Sequence, residues 1–386
     1  MTKPVALIAG GGIAGTVAAL ALDRAGWAPQ VFEARAHDAD ERGAFLTVAV
    51  NGVSALRALG LDPAVVLAAG FPTPSLTMTN GAGRDLGVLS LGGPMTTTIR
   101  RVGLYSALRS AVVARGIPIS YGKGLRDFTE EPGGVSVRFA DGSGADGELL
   151  VGADGIRSRT RSVLDPTGPA PTYLGLLNAG GFTDRPVGST EPGMVHMAFG
   201  RKAFFGWTSA PDGTVWWFAN PPRKEPVRPG DFTPSSWRAH LIELFADDAF
   251  PAAGIIRATP EVLGPWNTDD LRRVPVWRSR RVVLIGDAAH AVAPSSGQGA
   301  SMAFEDGATL GLCLPAGSDV AAGLSDYEQR RRSRVEKVVA VGRRNGSGKT
   351  AGPVGAAIRD AMFPLVMKML YRKGDPQAWI YDHRVA

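Results

Sequence analysis

The chain has 386 residues, 44% of them hydrophobic and 20% charged, enough apolar material for a large core in roughly two or three domains, which excludes a disordered or fibrous protein. Its 50 glycines and 28 prolines make up about a fifth of the sequence, against roughly an eighth ordinarily, and so announce many turns and close backbone approaches. A formal charge of +6 admits anionic ligands without demanding nucleic acid, and the single cysteine, Cys313, excludes an internal disulfide or a multi-thiolate metal site and suits a reducing, cytoplasmic setting.

Residues 5–22 form an uncharged run behind Lys3, as long as a short membrane span. Gly10, Gly11, Gly12 and Gly15 interrupt it, and each would weaken a single helix by about 1 kcal/mol relative to Ala. The run therefore reads as a strand (VALIA), a glycine turn and a helix from Thr16 to Ala25 stopping at Gly26. With a strand from Gln30 to Glu33 this makes one βαβ unit and no stable membrane insertion. Residues 75–91 hold TNGAGRD, a hairpin signal. A helix follows over 104–115, then strands over 117–121, 135–139 and 148–151, with Asp141-Gly142 as a turn. From 171 to 259 the pattern changes to aromatic strands between Pro/Gly loops, with one helix near 236–245. A buried strand at 281–285 leads through a glycine loop to a helix over 299–314. Residues 325–345 read as a charged helix, its Arg330 to Arg334 cluster beside Glu328 and Glu336 as a solvated face, and 351–371 as an apolar helix broken at Pro364.

The expected fold class is α/β with an α+β substrate domain. A Rossmann-like dinucleotide-binding domain is assembled from the discontinuous segments 1–72, 98–170 and 269–345. Residues 73–97 and 171–268 form an antiparallel-sheet substrate domain, and 346–386 a C-terminal helical segment.

Two constellations carry chemistry. Gly10-x-Gly12-x-x-Gly15 lies between strand and helix, with Ile13 and Ala14 opening the helix, Glu33 at the end of the next strand, and Ala34 and Arg35 behind it. The glycines permit a tight turn and let amides approach a pyrophosphate, and Glu33 can accept from ribose hydroxyls. This motif alone leaves NAD and FAD both open. The second constellation is Gly286-Asp287-Ala288-Ala289-His290, then Pro294, Gly297-Gln298-Gly299, Ala300 and Glu305-Asp306. A buried strand delivers Asp287 to its end, where a carboxylate can accept from a polyol, and the glycines start a helix whose amides favour an anion.

The stretch RVVLIGDAAHAVAPSSGQGASMAFEDG resembles the GD fingerprint of the FAD-dependent aromatic hydroxylases, the class A flavin monooxygenases related to para-hydroxybenzoate hydroxylase. LLVGADGIRSRTR resembles their DG fingerprint through Asp154, Gly155, Ser158 and Arg161, and Arg101 with Leu104 resembles their flavin-contacting R-x-x-L. Gly307 departs from them, since Ala is commoner after the acidic pair. The resemblance implies FAD, NAD(P)H and O2 as cofactors and a monooxygenase that hydroxylates or epoxidises an apolar, cyclic or aromatic small molecule through a C4a-hydroperoxyflavin. It also implies secondary metabolism, no amino-acid nucleophile, no metal and a monomer or homodimer. Asp154 and Ser158 would serve nicotinamide and pyrophosphate surroundings together. The loop at Pro294, Gly297 and Gly299 would line the reactive edge, and Gly43 to Thr47, with Phe45, would pass beside the ring.

Candidate substrate residues are His196, Phe199, Phe205, Trp207 and Trp217, with about half of the middle aromatics expected in the core. His290 reads as a loop-holding residue and Cys313 as a small buried hydrophobe. Alternatives are an antibiotic-inactivating monooxygenase, a flavin oxidoreductase without oxygen insertion, and a flavin-binding partner protein without turnover. The W-x-W-x-I-P signature of flavin-dependent halogenases is absent from the sequence.

Overall fold

The structure, a computed structural model, describes residues 2–36, 43–91, 93, 95–188, 190–292, 296–347, 358, 360–363, 369, 372 and 374–385. The uncharged N-terminal run becomes the strand Val5–Ala9 and the helix Ile13–Arg24. No described helix is long and apolar enough to cross a membrane.

Five parallel strands form one sheet in the order Val282–Leu284, Leu149–Gly152, Val5–Ala9, Ala28–Phe32 and Ile119–Ser120. Val5–Ala9 and Ala28–Phe32 are joined by the helix between them, as a parallel pair needs a crossover, whereas Leu149–Gly152 and Val282–Leu284 are brought in from far along the chain. The helices Ile13–Arg24 and Gly299–Cys313 pack against each other beside it. A β-carbon at Gly307 would lie 2.3 Å from Val17 Cγ1, which accounts for glycine where Ala is commoner.

A second sheet has seven strands, ordered Leu263–Asp270, Thr172–Phe182, Val215–Asn220, Phe204–Ser209, Met194–Phe199, Ser75–Asn80 and Asp85–Ser90. It is antiparallel except where Met194–Phe199 runs parallel to Ser75–Asn80, so the expected purely antiparallel sheet is mixed at that joint. The TNGAGRD hairpin joins its last two strands. One face carries Phe205, Trp207, Val215 and Trp217 and is closed by the helices Pro234–Leu244 and Ala252–Arg257. The other carries Val195, Met197, Phe199, Phe204 and Phe218.

Two three-stranded sheets complete the fold. Leu125–Glu130, Val135–Phe139 and Gly144–Gly147 form one, of which the sequence reading had only the middle strand. Phe45–Val48, Thr97–Arg100 and Phe71–Pro72 form the other, so the ring-side segment Gly43 to Thr47 is in large part a strand. The charged helix runs Val320–Ser347. Most of the apolar 351–371 stretch, Pro364 included, lies outside the described residues.

Candidate active site

Two close approaches shape the N-terminal turn. A β-carbon at Gly10, whose φ is +106°, would lie 2.4 Å from the Ala153 carbonyl oxygen, and one at Gly15 would lie 1.8 Å from that of Gly10. Gly12 caps the helix that Ile13 and Ala14 open. Glu33 accepts the Gly11 N–H at 2.8 Å on one oxygen and the Arg35 N–H at 3.0 Å on the other. A cavity of about 210 Å³ opens here, lined by Gly10, Gly12, Glu33, Ala34 and Arg35, and by Asp154 and Gly155 from across the sheet. A carboxylate and a helix start facing one cavity suit a nucleoside joined to a pyrophosphate.

Asp154 also organises its own loop. Its carboxylate accepts from Ser158 Oγ at 2.5 Å and from the Thr160 N–H and hydroxyl at 2.9 Å each. Ser158 in turn caps the helix Arg159–Leu164 through the Arg161 N–H. Arg161 is buried and donates to the Ala288 and Ile156 carbonyls at 2.9 and 2.7 Å. Burial lowers its pKa, and Asp154 opposes the shift. Ser158 and Arg161 therefore bind the protein, tying this loop to the Gly286 turn, while Asp154 and Gly155 face the cavity.

At the end of the strand Val282–Leu284, the Gly286 N–H donates to Asp306 at 2.8 Å, and a β-carbon there would meet that of Ala14 at 2.7 Å. Asp287 exposes its carboxyl from the first residue of a short helix. The surrounding protein raises its pKa through desolvation, against the pull of His290 and Arg101. Gly297 and Gly299 have open space where side chains would stand, Gln298 caps the helix Gly299–Cys313, and Ala300 is buried beneath. Pro294 lies outside the described residues. Arg101 opens the helix Arg101–Ala114, its guanidinium donating to Tyr105 at 3.1 Å and packed so near Gly43 that a β-carbon there would be 2.7 Å from its Cδ.

The substrate-side candidates divide between two faces of the large sheet. Phe205 and Trp217 stack in the helix-closed core, where the Trp217 indole donates to Thr259 Oγ1 at 2.8 Å. Trp207 lies in the same core, stacked on half-buried His196 with ring centroids 4.8 Å apart, and burial lowers the His196 pKa. Only Phe199 of the five faces the other way. There Phe45 meets Trp216 and Phe218 at centroid distances of 5.8 and 6.0 Å, and Arg100 lies 4.1 Å over the Phe182 ring. The alternation of strand residues separated the two faces, but which one two distant helices would cover was not local information.

The chain matches the family described as FAD binding domain over residues 3–341. It belongs to that family. It is 34% identical over 343 residues to the aurachin C monooxygenase/isomerase of Stigmatella aurantiaca, covering 86% of each chain. It is 32% identical to the chloroplastic zeaxanthin epoxidase of Spinacia oleracea over 85% of this chain, which spans about half of that longer protein, 52%. The structure of Klebsiella pneumoniae HpxO complexed with FAD and uric acid superposes with a TM-score of 0.86 at 24% identity, over 98% of this chain and 97% of that one, a likeness of fold.

This member of the FAD binding domain family is an FAD-dependent monooxygenase. Its residues fit the flavin nucleotide on two counts: a tight glycine turn whose Gly12 leaves the helix start open, and an exposed Asp287 at the end of the neighbouring strand segment. Among the described residues no cluster of His, Cys, Asp and Glu could hold a metal ion.

The sequence reading missed one buried polar group and misread another. Arg331, taken as part of a solvated face, is 1% exposed and paired with Glu305 and Asp306, while Arg330 is exposed as expected. The signal was present: Leu324, Tyr327, Val335 and Val338 recur at helical spacing, and Arg331 stands in the same buried stripe. Asn51, in the unforeseen helix Val50–Ala58, bonds both Gln298 and Glu305. His290 is buried with Nε2 2.5 Å from Asp306, in the loop-holding place expected of it.

Proposed function

We propose that this enzyme takes electrons from NAD(P)H and places one oxygen atom of O2 into an apolar cyclic small molecule, by hydroxylation or epoxidation. Segments 1–72, 98–170 and 269–345 hold the cofactor and 73–97 with 171–268 the substrate. The bound flavin supplies electron transfer to oxygen and oxygen insertion, and the chain supplies position, electrostatics and exclusion of water. Glu33 and the Gly10 to Gly15 turn take the adenosine and pyrophosphate end. Asp287 accepts from the polyol, and the start of the helix Gly299–Cys313 offers amides to negative charge.

The observation that carries the substrate reading is the sheet face opposite Phe45. Val195, Met197, Phe199, Phe204 and Phe218 on it are apolar, so a ligand placed there would be held by burial and ring contacts. The nearby Arg100 can orient an electron-rich or carbonyl-bearing ring edge. The test is anaerobic reduction of the flavin by NADH or NADPH with candidate apolar ligands, followed by admission of ¹⁸O2. One labelled oxygen atom in the product supports the reading. Peroxide as the sole product with every tight-binding ligand would overturn it.

A further inference from the structure

The helix Val320–Ser347 reaches the Gly286 and Gln298 turns through charges shielded from water. Arg331 donates Nε to Asp306 at 2.8 Å and Nη1 to Glu305 at 2.5 Å. Arg334 donates to both Glu305 oxygens at 2.7 and 2.8 Å, and to the Trp379 and Ile380 carbonyls at 3.0 and 2.8 Å. On their other sides the two carboxylates meet the turns. Asp306 accepts the Gly286 N–H and contacts His290, while Glu305 accepts from Asn51 Nδ2 at 2.7 Å, and the same nitrogen donates to Gln298 Oε1 at 3.0 Å.

Packing alone does not call for this arrangement. Carboxylates and a guanidinium taken out of water lose several kcal/mol of hydration each, and well-packed apolar side chains often serve a core as well or better. What a satisfied ionic network adds is a single permitted geometry. Burial pushes both carboxyls up, but His290 and Arg331 hold Asp306 at about 2, and Arg334 with Arg331 keeps Glu305 below its ordinary range. Among the described residues, the buried Asn51 Oδ1 has no hydrogen-bond partner, while its Nδ2 holds both Gln298 and Glu305.

We propose that Asn51 and Arg331 are positioning residues for FAD, holding Gln298 and the Gly286 turn in register through Glu305 and Asp306. The proposal rests on the reading that these two turns meet the flavin. Asn51 acts on the start of the helix Gly299–Cys313, whose amides set how strongly negative charge is stabilised there. Arg331 acts on Gly286, and so on the direction in which Asp287 presents its carboxyl. Neither residue needs to touch the cofactor.

The experiment uses the full chain as Asn51→Ala, Arg331→Lys and Arg331→Met, with Asp287→Ala beside them. For each, FAD is titrated into apoprotein, the reduction potential and visible spectrum of the holoprotein are recorded, and the melting temperature of the apoprotein is measured. Asn51→Ala is expected to weaken FAD binding about tenfold and to make the potential more negative, with only a modest fall in apoprotein melting. Arg331→Lys should recover part of what Arg331→Met loses. Should Arg331→Met not fold, Asn51→Ala and Arg331→Lys decide. FAD affinity and potential at wild-type values in Asn51→Ala overturn the proposal, as does a loss matched by an equal loss of apoprotein stability. If Asp287→Ala still weakens FAD while Asn51→Ala does not, the positioning claim alone falls. If neither weakens it, the reading of these turns as the flavin site falls too.

Discussion

Gly15 stands so close to Gly10 that a β-carbon on it would lie 1.8 Å from the Gly10 carbonyl oxygen, whereas one on Gly12 would meet nothing nearer than the Tyr105 ring at 3.8 Å. The two glycines of one turn therefore answer to different demands. Gly15 lets the helix Ile13–Arg24 seat on the strand Val5–Ala9, and Gly12 leaves the approach to the helix start open. Gly15→Ala is expected to abolish soluble holoprotein, because backbone must move. Gly12→Ala should fold, with normal apoprotein melting, but bind FAD more weakly. Expression yield and FAD titration check this, and equal behaviour of the two variants would refute it.

Asp287→Ala removes the exposed carboxyl from the end of the strand Val282–Leu284 without emptying a core. A hydrogen bond to a charged group contributes about 1.5–3 kcal/mol, so FAD affinity should fall by roughly one to two orders of magnitude while the apoprotein melts as before. Fluorescence titration measures it. Unchanged affinity would remove the role assigned to Asp287.

The βαβ unit was legible because its signals are local: alternation, a glycine turn and a terminal acid lie within thirty-odd residues. The hairpin around TNGAGRD was legible for the same reason. Arg331 was not, since helical spacing places it in a buried stripe but only the acids at 305 and 306 on another helix make such burial tolerable. The substrate-side candidates met the same limit. Phe205 and Phe218 occur in strands of one composition, and the helices Pro234–Leu244 and Ala252–Arg257, which cover one face, are separated from Phe205 by a further strand and a loop. The strand Phe45–Val48 was not legible because all of its pairing comes from Thr97–Arg100, far along the chain.

The buried ion pairs carry a pH signature with a definite sign. Asp306 titrates at about 2 in the folded chain against 3.8 ordinarily, so its contribution is fully present above about pH 4 and is lost as pH falls through 2. Asp306→Asn should lose about 3–5 kcal/mol at neutral pH, since it leaves the Arg331 charge less compensated. It should also lose less stability than the wild type between pH 4 and pH 2. Urea denaturation across that range checks both statements, and parallel acid profiles would contradict the second.

Cys313 is buried, and its thiol donates to Asp326 at 3.3 Å. Burial, with Asp326 beside it, pushes its pKa up to about 12. Little thiolate is then present at pH 8, and the thiolate is the reactive form. Alkylation by iodoacetamide at pH 8 should be slow in the folded protein and fast in denaturant, followed by mass. Because the folded pKa is raised, stability should decline as pH climbs from about 9 toward 12, and Cys313→Ala should flatten that decline.

Phe205 and Phe218 give the sharpest test of which sheet face works on substrate. Phe205 is fully buried, stacked on Trp217 and edge-on to Phe245 in the helix-closed core. Phe218 is half-buried on the opposite face, its ring lying over Gly206 so closely that a β-carbon there would be 2.3 Å from it, and turned toward Phe45. Truncating a buried Phe costs about 3–5 kcal/mol, so Phe205→Ala should lower the melting temperature strongly. The protein that remains folded should couple NAD(P)H oxidation to product as the wild type does. Phe218→Ala loses less packing, but it removes a ring from the apolar face turned toward Phe45, which on the proposed reading lets water reach the substrate. Its expected phenotype is a higher KM for substrate and a larger share of hydrogen peroxide per NAD(P)H consumed, with only a modest shift in melting. Thermal melts with paired product and peroxide assays separate the two faces. A raised peroxide share in Phe205→Ala but not in Phe218→Ala would mean that the substrate meets the face closed by the helices, against the assignment made from Phe45.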